Sequence, residues 1–122
     1  MIKFLRVLLI AFYFFDGSYH FINPESYYPL IPDYLPYPEL INYSSGFIEI
    51  MLAICVSIPK TRLLAVNGII LILIAFIHSH IYFITEGGCM SDSLCVAVWV
   101  AWVRLIFIHP LLIYWAWSVR KK

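Results

Sequence analysis

Charge is scarce in this chain. Asp, Glu, Lys and Arg make up 12% of its 122 residues, where a soluble globular domain carries roughly 25%. Hydrophobic residues take 63% and aromatics 18%, so a water-soluble fold is excluded. Patterns that carry familiar chemistry are missing too. There is no serine-histidine-acid arrangement, phosphate-cradling loop or dinucleotide fingerprint. No basic patch with interleaved aromatics follows a nucleic-acid backbone, so nucleic acid is not an expected partner. Length sets the last bound: the chain has room for four spans of about 20 residues, each enough for a ~30 Å hydrocarbon core, and for no second domain.

The few charges are sorted along the chain. Apart from Arg104, the basic residues fall in three short stretches: Lys3 and Arg6, the turn Pro59 to Arg62, and the tail Arg120-Lys121-Lys122. Acids outside the apolar runs (Glu25, Asp33, Glu39, Glu86 and Asp92) fall in the two remaining connections. Short loops rich in Lys and Arg stay cytoplasmic. This partition predicts an all-α bundle of four transmembrane helices, at about 2–22, 40–58, 63–84 and 94–119, running up and down through a bilayer with both termini cytoplasmic. The lipid bilayer is its first expected partner.

The first span has a basic start, but no pair of small residues spaced for cleavage follows Phe14-Phe15-Asp16-Gly17, so it is expected to be retained. Between spans one and two, Asn23 to Glu39 holds five of the seven prolines and four tyrosines. That density forbids a long helix, and tyrosine favours the headgroup layer; a structured outer cap is expected. The turn at Pro59 is short enough to make spans two and three antiparallel neighbours. In span four, Pro110 is expected to bend the helix.

Six ionisable side chains are predicted to share the outer half of the bundle. At about 1.5 Å of rise per residue, His20 and His80 lie about one turn deep, Asp16 and His78 about two, and Glu49 and Arg104 about three. An unpaired charge at such depth costs at least ~2.5 kcal/mol, so these groups turn inward and pair. The expected centre is Asp16 and Glu49 around Arg104, with His20, His78 and His80 as further ligand-binding candidates. Two carboxylates against one guanidinium leave a negative charge over, which suits a shared proton, a protonated histidine or a ligand. Two readings follow: a structural network that fixes helix register, or an outward-opening site in which Asp16, Glu49 and Arg104 are the catalytic candidates.

A metal ion or haem is not expected. His78 and His80 lie about 200° apart around a helix and cannot face one ion, and a site built from His20, Glu49 and one of them would need Arg104 turned away. His109, deeper in, is expected to pair locally. Cys89 and Cys95 flank the loop before span four, where an oxidising compartment permits a disulfide; their spacing is not the C-x-x-C of a thiol oxidoreductase.

The order Arg6, Gly17-Ser18-Tyr19-His20-Phe21, Pro24, Pro32 and Pro36, Ser45-Gly46-Phe47-Ile48-Glu49, Arg62 with Ala65, and Val103-Arg104-Leu105 resembles the DoxX-like family of small four-helix bacterial membrane proteins. It covers nearly the whole chain. The resemblance implies a four-helix fold in the bacterial inner membrane and a role as an accessory subunit of a larger membrane complex, redox- or quinone-linked. Similar four-helix bundles also include sterol isomerases and lipid-binding proteins, which implies the alternative of a stand-alone enzyme or binder for a quinone, lipid or sterol-like molecule.

Overall fold

Each long apolar stretch folds as a helix, which pairs its backbone N–H and C=O groups within the segment itself. The computed structural model describes residues 1–91 and 94–121. Helix α1 spans Ile2–Ile22, α2 Pro38–Ser57 and α3 Arg62–Thr85. The fourth stretch is composite: α4 (Val98–Val103), a π-helical turn (Arg104–Ile108) and α5 (His109–Ser118). All four stretches are long and apolar enough, by length and composition, to cross a membrane. They pack in chain order into a helical bundle, which α5 closes against α1. Asp92 of the acidic connection and Lys122 of the basic tail lie outside the described residues.

Two boundaries differ from the sequence expectation for physical reasons. Helix α2 starts at Pro38 rather than at residue 40, since proline at the first turn gives up only an N–H that has no helical partner anyway. The last helix starts at Val98 rather than at Leu94. Leu94–Cys95 (β2) instead pairs antiparallel with Cys89–Ser91 (β1). The Val96 amide donates to the Gly88 carbonyl over 2.9 Å, and Cys89 is disulfide-bonded to Cys95, so a hairpin occupies what would have been the first helical turn.

The bend expected at Pro110 takes a specific form. Proline has no N–H for the Ile106 carbonyl, and its ring crowds that oxygen. The helix widens just before it, and the His109 amide donates to the Arg104 carbonyl, five residues back.

The two ends of the bundle are built differently. At the basic end, side chains bond helix-terminal carbonyls: Thr61 Oγ1 donates to Cys55 over 2.8 Å and Arg62 Nε to Val56 over 2.9 Å. Arg6 donates to the carbonyls of Val119 and Lys121, and the Trp115 indole to that of Leu5. Behind these ties lies the apolar core, with Leu9, Ala53, Val56, Val66, Ile69, Ala116 and Val119 among its members. The other end encloses polar side chains under the proline- and tyrosine-rich connection, which carries two short 3₁₀ turns (Pro24–Ser26 and Tyr28–Leu30).

Helices α1 and α2 touch backbone to backbone. A Cβ on Gly17 would lie 2.7 Å from the Gly46 carbonyl oxygen, and one on Gly46 would lie 2.6 Å from the Cβ of His20. Contacts this close add dispersion attraction along both backbones and bring polar groups of the two helices within bonding reach. Gly46→Val should therefore destabilise the bundle by about 1–3 kcal/mol through overpacking. Thermal unfolding in detergent measures this, and an unchanged midpoint would show that the contact carries no weight.

Candidate functional site

The site grows from two stripes that this contact holds together. On α1, Tyr13, Asp16 and His20 lie three and four residues apart on one face; on α2, Asn42, Ser45 and Glu49 do the same. His20, Asn42 and Glu49 are 4%, 1% and 1% exposed, so each must find a partner inside the protein.

His20 and Asn42 fix one another. The Asn42 amide nitrogen donates to the His20 backbone carbonyl over 3.0 Å, which leaves the amide oxygen facing His20 Nδ1 at 2.7 Å. An oxygen there only accepts, so Nδ1 carries the hydrogen. The other ring nitrogen, Nε2, lies 3.3 Å from Glu49 Oε2, out of line for a hydrogen bond. Both Glu49 oxygens, His20 Nε2 and the Tyr13 hydroxyl are buried without a hydrogen-bond partner among the described residues. One donor atom from each of Asp16, His20 and Glu49 lies within 4.8 Å of the other two, compact enough to share a cation.

The connection after α1 roofs this group. Tyr27 stacks on the His20 ring at 3.6 Å between centroids, and its hydroxyl donates to Asp16 Oδ1 over 2.7 Å. Burial pushes the Tyr27 phenol well above the ordinary value of 10, and the bond to the Asp16 carboxylate adds to the shift. Beneath Tyr27, Leu30 and Ile31 lies a cavity of about 230 Å³, walled mainly by apolar side chains and entered by Asp16, His20, Asn42, Glu49, His80, Arg104 and His109.

The widened turn supplies the far side. Five residues apart on an α-helix means about 140° of rotation, which would set Arg104 and His109 on different faces. An i→i+5 ring turns them toward one face, and both line the cavity. His109 Nε2 donates to the Leu73 carbonyl, and its ring meets that of His80 edge-on at 4.9 Å.

A protein family described as a domain of unknown function (DUF8561) matches residues 9–120. The chain belongs to this family. No curated protein and no solved structure matches it.

In this DUF8561 member the candidates divide. Asp16, His20, Glu49, His80 and Arg104 all reach one cavity, but the arrangement differs from the expected one. Arg104 makes no ion pair with either carboxylate among the described residues; the basic group facing Glu49 is His20. His78 stands apart from the cavity, exposed and paired with the Tyr34 hydroxyl of the connection. His109, expected to pair locally, bonds the Leu73 carbonyl of α3 and also lines the cavity, a facing that the π turn allows. Asn42 was missed. Its signal was present in the spacing Asn42, Ser45, Glu49, three and four residues apart and so on one helical face.

The shift of Tyr27 gives a signed pH dependence. The folded state holds the phenolic proton more tightly than the unfolded chain, so the contribution of Tyr27 to stability is whole below pH 10 and is lost as pH rises above it. Ultraviolet titration of the wild type minus Tyr27→Phe should show one phenol ionising later than an ordinary tyrosine. A difference spectrum that titrates at the ordinary value would mean that the roof is open.

Proposed function

We infer that the chain is a four-span membrane protein whose capped cavity, in the half of the bilayer away from the cytoplasm, binds the polar end of a quinone, lipid or sterol-like amphiphile. The segregation of basic turns to one end of the bundle supports an inner-membrane orientation with both termini cytoplasmic. The relation to DoxX-like proteins is proposed on the order and spacing of the motifs quoted above.

One observation carries the binding reading. A carboxylate that is 1% exposed, with neither oxygen hydrogen-bonded, borders an apolar-walled cavity that also holds a guanidinium and three imidazoles. Ligand sites combine these features: a largely apolar wall with few, converging polar groups. A purely structural network leaves no such groups unmet, because each buried unpaired polar atom costs about 1–3 kcal/mol. The volume suits a headgroup or a single ring, with the tail passing between helices into lipid. Asp16 and Glu49 are placed for acid-base work on that ring, and Arg104 for pairing with an oxygen.

Organic extraction of protein purified in mild detergent, followed by mass spectrometry, should recover one amphiphile at near-equal stoichiometry. Glu49→Gln and Arg104→Gln should each reduce its retention by tenfold or more, equivalent to about 1.4 kcal/mol, while the bundle stays folded. Equal retention in both variants would exclude the cavity as the site.

A second reading, accessory subunit of a larger membrane complex, is favoured by a separate observation. The composite fourth helix buries the smallest share of its length, and Trp99 and Trp102 on it are exposed. Trp99→Ala with Trp102→Ala should release any stoichiometric partner that co-purifies from native membranes; recovery of a lone wild-type chain counts against this reading.

A further inference from the structure

Three possible ligand atoms converge beside the cavity, and among the described residues neither His20 Nε2 nor either Glu49 oxygen has a hydrogen-bond partner. His20 holds its ring proton on Nδ1, where the Asn42 oxygen takes it, so Nε2 presents a lone pair. Asp16 and Glu49 add carboxylate oxygens, and the three donor atoms lie within 4.8 Å of one another. Lone pairs and negative charge gathered in a dry interior repel unless a cation lies between them. A second proton on His20 would meet only part of this demand. Nε2 is out of line with Glu49 Oε2, and Oε1 would still lack a partner.

We propose that Asp16, His20 and Glu49 hold a divalent transition-metal ion of borderline hardness, zinc or iron(II) in class, within the cavity assigned above to an amphiphile. The donor set is one imidazole nitrogen and two carboxylate oxygens with no thiolate, which disfavours soft ions. Metal bonds of about 2.1 Å place tetrahedral ligand atoms ~3.4 Å apart, so the triangle tightens through rotation of the two carboxylates.

The groups behind the ligands fit the same assignment. Ligating histidines usually donate their other ring N–H to a carbonyl or carboxylate, and ligating carboxylates are themselves hydrogen-bonded. Asn42 does the first for His20, and Tyr27 does the second for Asp16. Three protein ligands leave at least one coordination position open, as in catalytic rather than structural sites. The two carboxylates balance the charge of the ion, and Arg104 on the same cavity wall adds one positive charge. The open position therefore suits an anionic oxygen, either hydroxide or the acidic hydroxyl of the bound amphiphile. This last point rests on the proposed function; the ion itself does not.

The test uses the full chain, purified through a tag without histidine and without chelators. Elemental analysis should find one equivalent of zinc or iron per chain. After removal of that metal, titration with Co²⁺ alone should give visible d–d bands of a low-symmetry site at one equivalent. His20→Gln and Glu49→Gln should abolish the bands, Asn42→Ala should weaken Co²⁺ affinity by roughly 10- to 100-fold, and His78→Gln, at the exposed imidazole outside the cavity, should leave it unchanged. Circular dichroism and gel filtration establish that each variant is folded. Should the buried variants fail to fold, Asp16→Asn, at the least buried ligand, makes the same comparison. A folded wild type that takes up no stoichiometric metal overturns the proposal, as does Co²⁺ binding that survives both His20→Gln and Asp16→Asn. Amphiphile recovered from metal-free protein would overturn the metal site alone, whereas metal without amphiphile would overturn the proposed function alone.

Discussion

The close approach of α1 and α2 at Gly17 and Gly46 is the constraint on which the remaining polar structure depends. With any side chain at either position, the two helices would stand farther apart. The reciprocal bonds between His20 and Asn42 would then lengthen beyond use, and Glu49 would lose the imidazole it faces. This contact acts together with the bonds it permits: packing brings the stripes within reach, and the stripes hold the helices in register.

The two halves of the bundle divide the work. At the basic end, a filled apolar core and side chains bonded to helix-terminal carbonyls give a region with little reason to move. At the other end, the roof is attached through phenols: Tyr27 to Asp16, Tyr34 to His78, and Tyr82 to the Asp33 amide. Each of these ties rests on one phenolic hydroxyl. Access to the cavity is therefore expected through the roof or between helices at that end, while the opposite end stays shut.

Much of this was legible in the sequence. The four helices follow from hydropathy and from the sorting of charge, and the α1 stripe of Tyr13, Asp16, Gly17 and His20 follows from spacing alone. What spacing could not show was pairing between elements. The sequence makes Arg104 the obvious partner for two acids, yet the carboxylate of Glu49 faces a histidine whose orientation is fixed by a neutral amide. Neutral amides carry no charge to balance, so charge bookkeeping overlooks Asn42. That His109 shares a cavity with Arg104 was hidden as well, because facing counted at 3.6 residues per turn fails through a segment that does not keep that pitch. The hairpin at Cys89–Cys95 displaced a helix start because a covalent bond outweighs the weak helical preference of one turn.

The π turn has an evolutionary consequence. A widened turn is, in effect, one residue inserted into an otherwise regular rod. Deleting one codon between Arg104 and His109 would restore ordinary pitch and leave the two residues four apart, about 40° from one another around the helix. The face they share would survive such an event. A chain one residue shorter at this place thus keeps both the scaffold and its polar centre.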